Sequence, residues 1–378
     1  MPRVSVIIPS FNHEKYIAKA IQSVLDQTYQ DFEIVITDDG STDGTVNEIK
    51  KFSDSRIRLF TLEENQGTAV ALNNCISKAK GEYIAVLNSD DVFLPNKLEK
   101  QIKFLDEHSD VWAVFGYAQI IDEDGNDFTD TTHFYYNIFK QPNRTRFEWL
   151  NYFFYKWNCL CHPSVLARRD CYTTIGPSDP RYAQTGDFYR WIRVCLEHEI
   201  YIIPENLIKF RVRAEESNVS GNRPEGSIRA YFEGAQVLKN FLEIKTRDEF
   251  LQIFPEASKY DEQIEKDMIP FFIARLALDS EISMHHYFAI NLLFDLLGNK
   301  NTAEKIEKKY GFRYIDFIKL TGKHDIFKTR AEQKLAEAEQ KLAGSETHIQ
   351  GLLNSWSWKI TAPLRKIYDI VIKKAANE

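Results

Sequence analysis

Phe32-Glu-Ile-Val-Ile-Thr-Asp38-Asp39-Gly-Ser-Thr-Asp43 decides the reading of this chain: an apolar, β-branched run that stops abruptly in acid. The pattern recurs at Tyr83-Ile-Ala-Val-Leu-Asn88-Ser-Asp90-Asp91. Short runs of this kind read as buried strands, so both acidic groups fall at strand C-terminal ends. Open α/β sheets gather their ligands at such ends, which makes the two groups a candidate nucleotide and metal site.

Outward from these runs, strand and helix character alternates over about the first 120 residues, as parallel βαβ units require. Val4 to Pro9 predicts a strand, and Ile17, Ala20, Ile21, Val24 and Leu25 recur at helical spacing. A helix over Asp43 to Phe52 follows the second strand, with Thr42 or Asp43 as its N-cap. Ile57 to Phe60, Tyr83 to Leu87 and Trp112 to Phe115 predict further strands, with helices opening near Gly67 and Pro95. Phe188, Trp191, Ile192, Cys195 and Leu196 form an apolar stripe after Gly186, and strands are expected at Glu199 to Ile203 and Leu207 to Val212. Ser, Asn, Gly and Pro between residues 213 and 227 suggest a boundary. The expected organisation is an α/β domain over residues 1–225, helices over 226–326, a heptad-bearing helix over 327–355 and a basic amphipathic tail over 356–378.

With 378 residues, 43% of them hydrophobic, the chain can bury a substantial core. Its net charge of -7 argues against broad binding of a phosphate backbone, so nucleic acid is not an expected partner. Five scattered cysteines fit neither a disulfide framework nor a zinc template. Val4 follows Met1-Pro2-Arg3 directly, and no run reaches transmembrane length, so a reduced, cytoplasmic setting is expected.

Carboxylates at Asp90 and Asp91 suit Mg²⁺ or Mn²⁺, which take one or two carboxylates and leave other positions to phosphates and water. Asp38 and Asp39 suit hydrogen bonds from a base N–H or a ribose hydroxyl. Either acidic pair alone reads equally as a helix cap or a solvated turn.

Four segments together carry a resemblance. Val4-Ser-Val-Ile-Ile-Pro-Ser-Phe-Asn12, Asp38-Asp-Gly-Ser-Thr-Asp43, Asn65-Gln-Gly67 and Asn88-Ser-Asp-Asp91 are similar, in order and spacing, to the nucleotide-binding segments of family 2 glycosyltransferases of the GT-A fold. The resemblance covers about residues 1 to 220 and points to the type that builds bacterial cell-surface glycans. It implies a Rossmann-like domain that binds a nucleoside diphosphate sugar. Pro9, Ser10 and Glu14 would line the base and ribose pocket with Asp38 and Asp39; Asn65 and Gly67 would border the nucleotide. Asn88, Ser89 and Asp90 would meet the sugar and diphosphate, and Asp90 and Asp91 would hold the divalent cation. Asn88 stands where the family often has Asp, so the metal role rests on the last two residues.

His162-Pro-Ser-Val-Leu-Ala-Arg-Arg169 and Thr185-Gly-Asp187-Phe-Tyr-Arg-Trp-Ile-Arg193 resemble the acceptor-side segment of that family, and Asp187 takes the position of its general base. Direct displacement with such a base implies inversion at the anomeric carbon. The alternative for Asp187 is a helix N-terminal charge. Phe210-Arg-Val-Arg213 is similar to the closing segment that meets the diphosphate, with Arg211 and Arg213 as phosphate donors or plain surface charges. His162, Trp157 and Trp191 are candidates for the acceptor side, although tryptophans at such spacing also serve as core.

Ala331, Leu335, Ala338, Leu342, Ile349, Leu352 and Trp356 keep a heptad frame, interrupted at Ser345, which suggests self-association. In the tail, Lys359, Arg365, Lys366, Lys373 and Lys374 against Asp369 and Glu378 leave a charge of +3 beside two tryptophans. That helix suits a membrane interface, at the inner face of the plasma membrane, or equally the surface of the helical domain. The competing functional classes are a non-catalytic glycan-binding or scaffold protein and a nucleotidyltransferase. The latter lacks its basic, glycine-rich loop after the first strand.

Overall fold

A computed structural model describes residues 1–214, 218, 221, 223–327, 329–354 and 356–361. Residues 1–314 form one compact unit and the remainder a second. In chain order the first unit contains β1 (Val4–Ser10), α1 (Ile17–Leu25), β2 (Phe32–Asp38), α2 (Thr45–Lys50), β3 (Ile57–Thr61), α3 (Thr68–Lys78), β4 (Tyr83–Val86), β5 (Val92–Phe93), α4 (Lys97–Glu107) and β6 (Val111–Ile121). There follow α5 (Tyr135–Ile138), α6 (Arg146–Lys156), β7 (Leu166–Arg168), α7 (Asp170–Thr173), α8 (Gly186–Cys195) and β8 (Glu199–Arg211), then α9 (Pro224–Val237), α10 (Arg247–Ile253), α11 (Ile269–Leu278), α12 (Ser283–Gly298) and α13 (Lys300–Tyr310).

The strands make one mixed sheet in the order β3-β2-β1-β4-β7-β6-β8-β5. β3, β2, β1 and β4 are parallel neighbours; β7 is antiparallel to both β4 and β6. β1 and β2 are near-continuous apolar runs because helices cover both faces, as parallel sheets demand. On one face, α1 buries Ile17, Ala20, Ile21 and Val24. The register pairs Ser10 with Asp38, so the ends of β1 and β2 fall side by side.

Three sequence expectations change. The break expected between two strands at Ile203 and Leu207 is a bulge inside one strand, β8: its register against β6 shifts between Gly116 and Tyr117, opposite Ile203 and Asn206. Pro204 lies in that gap and cannot donate to a ladder. Helix α2 starts later than expected, with Gly44 as N-cap, while Asp43 accepts from the Thr45 amide at 3.0 Å. No gap in packing occurs at residue 225. Asn151 of α6 donates to the Ile253 carbonyl at 2.9 Å, and a ring nitrogen of His285 on α12 bonds the Phe154 carbonyl at 2.6 Å. Phe154 also meets Phe241 and Phe254 edge-on, so an aromatic seam joins the helices to the sheet domain.

The second unit takes in most of α14 (Tyr314–Lys323) and contains α15 (Thr329–Asn354) and α16 (Trp356–Ile360). Arg365, Lys366, Asp369, Lys373, Lys374 and Glu378, on which the membrane expectation rests, lie outside the described residues. Among the described residues no helix is long and apolar enough to cross a membrane.

Candidate active site

The turn after β1 and the acidic turns after β2 and β4 open into a cleft of about 590 Å³. Pro9, Ser10, Asp39, Asn65 and Gly67 form one side of it; Asn88, Ser89, Asp90 and Arg213 continue the wall; His162 and Asp187 also line it.

Adjacent carboxylates at the end of β2 do different work. Asp38 is buried off the cleft, where it accepts from Ser10 Oγ at 2.9 Å, Ser41 N at 2.9 Å and Ser41 Oγ at 2.6 Å. It closes the turn and does not line the cleft. Asp39 accepts from the amides of Gln66 and Gly67 at 2.8 and 2.9 Å and so fastens the loop that starts α3. Gly67 holds φ at +93°, a backbone state that glycine adopts without a side-chain clash. Each Asp39 oxygen keeps a lone pair for a ligand donor. Glu14 also departs from its expected role: its Oε2 accepts from Gly44 N at 2.7 Å, and it does not line the cleft.

At the end of β4, Asp90 borders the cleft while Asp91 is buried behind it. Asp91 accepts from Arg211 N at 2.8 Å and from Asn88 Nδ2 at 3.1 Å. Burial, then the neighbouring Asp90 charge, pushes the Asp91 carboxyl well above the usual carboxylate range. Asn88 thus supports Asp91 with a neutral donor. Arg211 is a buried brace: Nε donates to the Asp90 carbonyl at 2.8 Å, and Nη1 to the Asp122 and Glu123 carbonyls at 3.0 and 2.8 Å. Its guanidinium lies off the cleft wall.

Arg213 does reach the cleft. Its Nε is 3.5 Å from Asp90 Oδ2, and Nη1 is 2.8 Å from His13 Nε2. A guanidinium cannot accept, so Nε2 of His13 is the acceptor and Nδ1–H faces Ser89 Oγ at 2.7 Å. Burial pushes the His13 pKa down, consistent with a neutral ring.

The acids also fit a divalent cation unequally. Asp90 presents a carboxylate to the cleft, whereas Asp91 is buried behind it and does not line the cleft. One or two carboxylates with phosphate and water suffice for Mg²⁺ or Mn²⁺. Asp90 therefore fits as the direct ligand, with Asp91 buried behind it.

Asp187 sits in the first turn of α8, where the helix dipole favours a negative charge. Its Oδ1 accepts from Phe188 N at 2.7 Å and its Oδ2 from Asn158 Nδ2 at 3.0 Å. His162 is held neutral by burial, against the pull of the Asp187 charge, and its Nδ1 has no hydrogen-bond partner among the described residues. The two tryptophans differ: Trp191 is core, whereas Trp157 is half-buried. Trp191 is fully buried and edge-on to Phe115 at 5.0 Å. Trp157 packs on Phe188 at 4.7 Å, with φ at +78°, and a Cβ on Gly234 would fall 2.3 Å from its ring.

Sequence reading missed His13, Asn158, Arg190 and Glu233. Buried Arg190 reaches the cleft from α8 and bonds the Cys171 and Gly176 carbonyls at 2.7 and 2.9 Å. Glu233, on α9 and 2% exposed, takes the amides of Ala183, Gln184 and Thr185 and the Thr185 hydroxyl, at 2.9 to 3.0 Å. One carboxylate from the helical layer thus holds the loop that delivers Asp187. A glutamate some fifty residues along, in a helix with no motif, carries no local signal.

Comparison with known proteins agrees with this geometry. The profile of Glycosyl transferase family 2 matches residues 5–173. An uncharacterised glycosyltransferase of Methanocaldococcus jannaschii is 31% identical over 224 residues, 58% of this chain and 74% of the relative. The chain belongs to glycosyl transferase family 2. Another relative, the Escherichia coli enzyme WfgD, named a UDP-Glc:alpha-D-GlcNAc-diphosphoundecaprenol beta-1,3-glucosyltransferase, is 32% identical over 222 residues, 58% of this chain and 80% of WfgD. Among solved structures, S. aureus TarS residues 1–349 in complex with UDP aligns with TM-score 0.50 at 19% identity, covering 82% of this chain and 93% of that one. The fold is therefore GT-A-like and the chain is a glycosyltransferase. A non-catalytic scaffold and a nucleotidyltransferase are set aside by family membership.

Proposed function

We propose that this family 2 enzyme moves a sugar, with inversion, from a nucleoside diphosphate sugar to a hydroxyl of a glycan or lipid-linked acceptor. The observation that carries this reading is that one cleft is lined both by the strand-end residues Asp39, Asp90 and Arg213 and by Asp187 at the start of α8. The strand ends suit the nucleotide and diphosphate; Asp187 suits the attacking hydroxyl. The acceptor oxygen forms a bond to the anomeric carbon as the carbon–oxygen bond to the diphosphate breaks. Asp187 takes the hydroxyl proton, and the diphosphate leaves with the bonding electron pair.

Asn158 and the Phe188 amide fix both oxygens of the base in the first turn of α8. Arg213 supplies a permanent cation at the diphosphate. Mn²⁺ or Mg²⁺ held by Asp90 would neutralise charge on the leaving group. A 32% identical relative named for UDP-glucose and a diphosphoundecaprenol-linked acceptor supports a lipid-linked acceptor for this chain as well.

Thermal-shift and transfer assays with UDP, GDP, dTDP and CDP sugars plus Mn²⁺ test the reading, because a ligand that binds only the native state raises its apparent stability. One donor class should shift the transition. Absence of any shift or turnover across the set would refute the donor assignment.

A further inference from the structure

Within the second unit, α15 is 26 residues long and carries large apolar residues every seventh position: Leu335, Leu342 and Ile349, continued by Trp356 at the start of α16. They are exposed by 60, 61, 52 and 83%. Three residues after Leu335 and Leu342 stand the small Ala338 and Ser345. This alternation of three and four puts the large residues at a positions and the small ones at d. Gly344 and Gly351 fall at c, away from that stripe, and lower the intrinsic helix propensity. A helix of this length in water takes most of its stability from packing of its apolar face.

We infer that this stripe is the seam of a parallel, in-register, two-stranded coiled coil with a second copy of the chain. Charge fixes the occupant and its direction. The e positions hold Glu339 and Glu346, and the g positions hold Lys334 and Lys341. In a parallel pair each g residue faces the e residue of the following heptad on the other helix, so Lys334 meets Glu339 of the second copy and Lys341 meets its Glu346. Both flanks are then attractive. An antiparallel pair sets e against e and g against g, which opposes glutamate to glutamate and lysine to lysine. Small d residues let the helices approach closely enough for the large a residues to interlock. The inference does not depend on the catalytic reading.

Sedimentation of the full chain from micromolar to sub-millimolar concentration tests it. The wild type should form a dimer, and Leu342→Glu should give a monomer whose first unit melts unchanged. Combined Lys334→Glu and Lys341→Glu should raise the dimer dissociation constant about tenfold, and adding Glu339→Lys and Glu346→Lys should restore it. Ile349→Cys under mild oxidation should cross-link copies, because only the parallel register brings the two positions together. A monomer throughout, a dimer indifferent to these changes, or a dimer that Ile349→Cys fails to cross-link would each overturn the inference.

Discussion

The two walls of the cleft are built in opposite ways. On the strand-end side, the carboxylates are held mostly by their own turns or by the next βα loop, Asp38 by Ser41, Asp39 by Gln66 and Gly67, Asp91 by Asn88, with the sequence-distant Arg211 amide as a second donor to Asp91. On the other side, the loop before Asp187 hangs on Glu233, a residue from a different layer of the molecule. Local construction makes the first wall rigid wherever the sheet is formed. The second wall is correct only when the helical layer is docked.

Substitutions can break or sharpen that contrast. The largest expected effect is from Asp187→Asn, which should lower transfer about 10³-fold while donor binding by titration calorimetry stays unchanged. Normal turnover would remove the base assignment. Chelation with EDTA, or Asp90→Ala, should lower transfer by about 10²- to 10³-fold, with Mn²⁺ restoring only the chelated wild type; an enzyme indifferent to EDTA counts against the cation.

Glu233→Gln separates the walls most directly. An amide must turn its NH₂ toward backbone N–H groups, so the 183–185 loop shifts, and kcat should fall about 10² -fold at constant donor KM. Equal loss of donor binding would show that the walls are not independent. Asp39→Asn is the reciprocal change: donor KM should rise about tenfold, with kcat held, because the Gln66 and Gly67 amides lose an acceptor.

The smallest effect concerns the docked layer. Burial pushes the His285 imidazole below its ordinary 6.5. Folding therefore disfavours its protonation, and this stabilisation is complete above about pH 6.5 and is lost as pH falls toward the folded-state value. Denaturant unfolding across that window should show stability dropping with acid in the wild type and a flatter profile in His285→Gln. Identical profiles would sink the assignment.

The same contrast explains what was legible in the sequence. Apolar strand runs are local patterns and located β1, β2 and β4, and the acidic ends of two of them pointed to carboxylates of the first wall. Patterns name residue types, though, not the direction in which each points. Asp38 and Asp39 are indistinguishable in sequence, yet one closes a turn and the other faces the cleft. Arg211 and Arg213 are separated by a single valine, and of the two Arg213 lines the cleft. Trp157 and Trp191 read alike in sequence, yet Trp191 is fully buried and Trp157 half-buried, because exposure is not written in a tryptophan. Glu233, Asn158 and His13 act across distances in sequence that no motif spans.

The carboxylate of Glu233 also bears on how such enzymes are exchanged as modules. A chimera that grafts residues 1–225 onto another protein would carry every donor-side residue and the base, yet leave behind the anchor of the base loop. Specificity swaps in this enzyme should therefore be cut downstream of α9, so that the acceptor wall travels with the glutamate that shapes it.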